Sequence, residues 1–104
     1  MNQRSRSCDI KQKTKDEVWR RDGECCILCG NPEAMPNAHY IPRSSGGLGV
    51  PENLVTLCCR CHEDYDHTVK RKEIRERIRE YLAGYYGEEW SEDKLKYSKW
   101  DWCK

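Results

Sequence analysis

Cys26-Ile27-Leu28-Cys29-Gly30 and Cys58-Cys59-Arg60-Cys61-His62, with 28 residues between Cys29 and Cys58, frame the stretch whose reading decides the fold. Each Cys-x-x-Cys step places two thiols on one tight turn, and two such turns together offer four thiolates, the closed tetrahedral ligand set of structural zinc. Binding at such a site adds directly to folding free energy, because the unfolded chain holds no preformed site. Cys25 and Cys59 blur the register, since Cys25 can stand in for Cys26 in a looser turn. The two-residue spacing at both knuckles favours Cys26, Cys29, Cys58 and Cys61 as ligands. Cys8 and Cys103 have no evident partners, and the surplus cysteines read as free thiols. A thioredoxin-like redox pair needs a β-α-β pattern around a single motif, whereas here two motifs sit in loops.

The rest of the composition agrees with a stapled domain. The chain has 104 residues, 37% hydrophobic and 36% charged, with no Phe, which leaves a thin apolar core for one small domain. Nineteen Lys and Arg stand against 18 Asp and Glu, so the net charge of +1 points to neither nucleic acid nor membrane, and any basic face is local. No apolar run approaches the ~18 residues of a membrane span, and the polar, basic N-terminus lacks a secretory signal. The expected location is the cytoplasm, where paired cysteines bind metal more often than they cross-link.

Residues 1–13 read as a flexible basic arm, 14–84 as the domain, and 85–104 as an aromatic and charged tail packing on it. Thr14-Lys15-Asp16-Glu17 has the capping-box pattern and predicts a helix to about Arg21, with Val18 and Trp19 on its buried edge and Asp22-Gly23 turning the chain. Ala38–Ile41 and Leu54–Leu57 are the strand candidates in a loop-rich stretch. Helix formers with Ile74, Ile78, Tyr81 and Leu82 at helical spacing predict a helix from Thr68 to about Ala83, ended by Gly84 and Gly87. Trp90, Trp100 and Trp102 in the tail read as packing anchors.

Between and just beyond the knuckles lie all three histidines, His39, His62 and His67. Their setting is Ala38-His39-Tyr40-Ile41-Pro42, then Ser44-Ser45-Gly46-Gly47, then Pro51-Glu52-Asn53-Leu54, then Leu57-Cys58 and Cys61-His62. These elements, in this order from Cys26 to His62, resemble the His-Asn-His (HNH) endonuclease family, and with the flanking segments the chain is most similar to its small phage and prophage members. The resemblance implies an α+β fold of the ββα-metal type, here stapled by zinc. It implies His39 as general base on water, a step that suits an imidazole with an ordinary pKa of about 6.5. It makes Asn53 the residue that holds the loop and orients the base, and His62 a ligand of a catalytic Mg²⁺ or Mn²⁺ ion, with His67 and Asp66 as further ligand candidates. The implied activity is divalent-metal-dependent nicking of DNA by a monomer, in phage DNA packaging or processing. One departure stands out: many members carry Asp or His as a metal ligand before the base, and this chain has Ala38 there.

Beside these readings stand plainer ones. Asn53 also suits a turn after Pro51-Glu52. The Gly46-Gly47-Leu48-Gly49 loop is followed by no Gly-Lys-Ser/Thr and is no phosphate loop. Arg20, Arg21 and Arg43 can line a track for the phosphate backbone of DNA or form an ordinary solvated surface. The tail offers a surface for a protein partner. The rival function is a non-catalytic four-cysteine zinc module that binds DNA or protein.

Overall fold

The computed structural model describes residues 9–67 and 69–96. Helix α1 (Gln12–Arg21) leads through the first knuckle to strand β1 (Ala34–His39), and β2 (Leu54–Cys58) runs directly into α2 (Cys59–His67), which is followed by α3 (Arg71–Tyr86). Short 3-10 turns lie at Arg43–Ser45, Pro51–Asn53, Gly87–Glu89 and Glu92–Leu95. The strands pair antiparallel, with His39 opposite Leu54, Ala38 opposite Val55 and Ala34 opposite Cys58. Two strands feeding a helix, with flanking helices and a cysteine cluster, make the ββα-metal arrangement that the sequence leads one to expect.

An isolated two-stranded hairpin is marginal in water, so both faces of this one must be covered. All five residues of β2 are buried, and the strand is packed by both α1 and α2. The core cluster joins Ala38, Val55 and Leu57 to Tyr65 of α2 and to Ile74, Ile78 and Leu82 of α3. Those three α3 residues fall at four-residue spacing, which is the apolar stripe of an amphipathic helix.

Several elements differ in extent from the sequence reading. Helix α1 begins at Gln12 after Lys11 and has no side-chain cap, so the capping box at Thr14 does not form; a Gln12–Asp16 hydrogen bond of 3.0 Å braces its first turn instead. Strand β1 starts four residues earlier than Ala38 and carries Pro36 at a register shift between Met35 and Ala38. A bulge leaves a residue out of the ladder, so the missing N–H of Pro costs little there. The strand stops before Tyr40 and Ile41 because Asn53 takes up their N–H groups. Helix α3 passes through Gly84 and ends only at Gly87, whose φ is +76°.

Arg21, expected on a DNA track, lies inside the molecule, with its side chain 4% exposed. Nε and Nη2 grip the Asp22 carboxylate at 2.7 and 3.2 Å, and the remaining donors reach Pro51 O at 2.6 Å, Leu54 O at 2.5 Å and Tyr86 Oη at 3.0 Å. That uses all the donor capacity of a guanidinium. Asp22 in turn accepts from the Thr56 N–H at 2.7 Å and from Tyr81 Oη at 2.6 Å, so α1, β2 and α3 meet on one ion pair. Burial works to lower the Arg21 pKa, but the contact with Asp22 outweighs it and holds the cation charged. Arg20 is exposed, as expected of a surface cation.

Trp90 donates to Glu52 O at 2.8 Å and its ring lies 5.7 Å from that of Tyr40, while Leu95 is buried. The expected contributions of Trp100 and Trp102, of Cys103, and of the arm from Met1 to Cys8 lie outside the described residues.

Candidate functional site

The two knuckles converge. The Sγ atoms of Cys26, Cys29, Cys58 and Cys61 all lie within 4.8 Å of one another. Four thiolates at ~2.3 Å from a tetrahedral ion stand about 3.8 Å apart, and Cys29 and Cys58 are separated by 3.6 Å. The turns are built for this: Gly30, at φ +79°, closes the first by donating to Cys26 O, and the Cys61 N–H points at Cys58 Sγ across the second. Burial tends to raise the Cys26 thiol, but the N–H groups of Cys58, Cys29 and Leu28 outweigh it and bring its pKa to about 7. Cys61 is pushed well up by burial and by its sulfur neighbours. Thiols packed this closely ionise together only around a cation, and the donor set fits a metal ion. Cys25 turns away toward Asp22 O, and Cys59 is exposed, so neither joins the cluster.

Asn53 is fully buried beside the end of β1. Its Oδ1 accepts the Ile41 N–H at 2.8 Å, its Nδ2 donates to Ile41 O at 3.2 Å and Leu48 O at 2.9 Å, and its own carbonyl accepts the Tyr40 N–H at 2.8 Å. The two residues after His39 and Leu48 of the glycine loop are therefore held by one residue, Tyr40 through its carbonyl and Ile41 and Leu48 through its side chain. Gly47 sits inside the same clamp, where a Cβ would fall 1.7 Å from Ile41 O. On the loop's other flank, Leu48 N–H donates to Leu95 O at 2.8 Å. His39 is half-buried at the end of β1.

His62 and Asp66, one turn apart on α2, are paired at 3.5 Å with their side chains partly exposed. Both line an open cleft of about 810 Å³, together with His67, Glu63, Asn37, Met35 and Trp19. His39 is not among the lining residues; it lies two positions along β1 from Asn37, about 7 Å of strand. Arg20, Arg21 and Arg43 also lie outside the cleft, and exposed Arg43 pairs with Asp9. Ala38 is fully buried in the core, so it adds no polar group. Trp19, Met35 and Asn37 were invisible as site residues in the sequence. Trp19 reads there as a helix's buried edge, and nothing local ties the other two to α2.

Residues 26–77 match the family model of the HNH endonucleases. The chain belongs to the HNH endonuclease family. Among curated proteins, it is 33% identical over 55 residues to anaredoxin of Nostoc sp., an alignment covering 52% of this chain and 72% of that protein. It is 39% identical over 49 residues to the type IV methyl-directed restriction enzyme EcoKMcrA of Escherichia coli, covering 47% of this chain and 17% of that enzyme. The HNH segment spans both knuckles, Asn53, all three histidines and the first half of α3 as far as Ile74 of its apolar stripe. Family and restriction-enzyme relative together support a nuclease role. Among the described residues, no helix is long and apolar enough to cross a membrane.

Proposed function

We propose that the chain is a divalent-metal-dependent DNA endonuclease that hydrolyses phosphodiester bonds and nicks one strand per catalytic site as a monomer. Zinc held by Cys26, Cys29, Cys58 and Cys61 is its structural metal. The observation that carries the reading is the Asn53 clamp on the backbone immediately after His39, a polar device buried at the cost of desolvating an amide and satisfied on three sides. His39 then serves as general base, accepting the proton of the attacking water, and Asn53 serves as the positioning residue that fixes the strand end carrying it. His62 and Asp66 hold the catalytic ion, with His67 beside them on the same cleft; a neutral imidazole and a carboxylate, partly open to solvent, suit Mn²⁺ or Mg²⁺. The bound ion would supply charge stabilisation to the scissile phosphate and the departing 3′ oxygen. Arg20 and Arg43 contact the phosphate backbone, Arg43 exchanging Asp9 for phosphate. A phage or prophage setting, with DNA packaging or processing as the task and the cytoplasm as the place, follows the resemblance of the whole chain to small HNH proteins.

The test is plasmid nicking by zinc-loaded protein with and without Mg²⁺ or Mn²⁺, beside His39→Ala of equal zinc content. The expected loss in the variant is on the order of 10²–10⁴-fold, the usual contribution of a general base. A second reading, a non-catalytic zinc module, is favoured by one observation: Ala38 fills the position before His39 with a buried methyl group. It wins if neither protein nicks with any divalent ion while both bind DNA.

A further inference from the structure

Apart from His62 and His67, the lining of the cleft holds no cationic side chain to pair with phosphate. Its apolar wall is made by Trp19, Pro32, Met35 and Leu57, and Asn37 lines the same cleft. Met35 is 58% exposed, an unusual placement for a large apolar side chain on a strand whose neighbours are covered. The Oδ1 atom of Asn37 is buried and has no hydrogen-bond partner among the described residues. An unpaired acceptor costs free energy, and since Asn37 lines the cleft, a turn of its amide would let an N–H of a ligand there pair with it. Glu33 at the rim adds acceptors and no donor, which disfavours an anion as the occupant.

A flat, neutral, stackable group with an N–H edge is a nucleobase. We propose that this wall is a subsite for one unstacked base of the strand being cut, stacked on Trp19 against Met35 and hydrogen-bonded to Asn37. The inference rests on the nuclease reading and deepens it. The subsite borders the His62–Asp66 pair, so the phosphate next to the held base is the one delivered to the ion. In a duplex the base must first leave the stack, which costs free energy that a single strand or a mismatch spares. The substrate class is therefore single-stranded or locally unpaired DNA, taken with little sequence preference because every base has a face to stack and an N–H to offer.

The test is binding, read by fluorescence anisotropy with the zinc-loaded full chain in Ca²⁺. The probes are a ten-nucleotide thymidine strand and a strand of equal length and charge made of abasic sugar-phosphate units. The base-bearing strand should bind on the order of tenfold more tightly, as one stacked base provides. Trp19→Ala should bring the two strands level, Trp19→Tyr should restore most of the difference, and Asn37→Ala should reduce it at unchanged zinc content. Equal affinity of the two strands for the unaltered protein would overturn the subsite and leave the nuclease reading standing. A preference for bases that survives Trp19→Ala would place stacking elsewhere and also overturn it. Failure to bind either strand would overturn both readings at once.

Discussion

Arg21 and Arg20 are neighbours in the chain and opposites in the fold. Arg21 is buried on Asp22, whose side chain has no exposed surface, and removing one partner of such a pair leaves the other desolvated without compensation. Arg21→Met, which keeps the bulk and removes the charge, should cost about 3–5 kcal/mol in urea unfolding of the metal-loaded protein. The salt dependence of DNA binding should not move. Arg20→Ala should do the reverse, leaving the urea midpoint in place while flattening the slope of log K against log salt by about 0.9. A loss under about 1 kcal/mol for Arg21→Met would mean that the guanidinium is solvated after all. The four-cysteine cluster could be read from the chain alone because the spacing within each knuckle is a local property of a sequence. The burial of Arg21 could not, since Tyr81 and Tyr86, which close over it with Asp22, lie 60 and 65 residues away.

At the scale of elements, the glycine loop between β1 and β2 is the least forgiving part of the hairpin. A methyl group at Gly47 would collide with Ile41 O and would stand 3.0 Å from the Asn53 amide, so it meets backbone that cannot swing aside. Gly47→Ala should therefore destabilise the fold by about 2 kcal/mol or more, at the upper end of ordinary overpacking, and should lower nicking with it. Gly84→Ala, in open space on α3, should change the thermal midpoint little or raise it. The tyrosines that tie α3 and the tail to the hairpin set the alkaline limit. Tyr40, from an ordinary 10.0, is pushed up to about 12 by burial and then by its hydrogen bond to Glu92, against the pull of Arg75. Burial likewise raises Tyr81 and Tyr86. A group whose folded pKa is raised stabilises fully below its unfolded pKa, so stability should hold to about pH 10 and fall as pH rises toward 12. Thermal midpoints followed with tyrosinate absorbance should drop together over that window, and ionisation well before any loss of midpoint would contradict it. Strand β2 was legible as an apolar run, and α3 as a helical stripe. The start of β1 was not, because a proline at a bulge looks in sequence like the end of a strand. The start of α1 was hidden as well, since Thr14 matches a cap that the chain does not use.

For the molecule as a whole, the balance between core and metal decides whether there is a fold at all. The buried apolar set is small, holds no Phe, and depends on Cys26 and Cys58 as members of the same cluster. Those two residues are also half of the ligand set, so the core and the metal site share side chains. Without a cation, Cys61 is held protonated by burial and by the other sulfurs, and the knuckles lose the charge attraction that closes them. Apparent binding free energies for structural zinc in small domains run to about 10–16 kcal/mol at neutral pH. Whole-domain stabilities are about 5–15 kcal/mol, so the contribution of the metal is as large as the total. Stripping the protein with a chelator should thus abolish helical circular dichroism and DNA binding in one cooperative step, and added Zn²⁺ should restore both. Cys25→Ser and Cys59→Ser should leave metal stoichiometry near one, whereas Cys61→Ser should lose metal at lower chelator concentration. Metal-free protein that kept its helical signal and a sharp thermal transition would show that the hairpin and helices stand by burial alone.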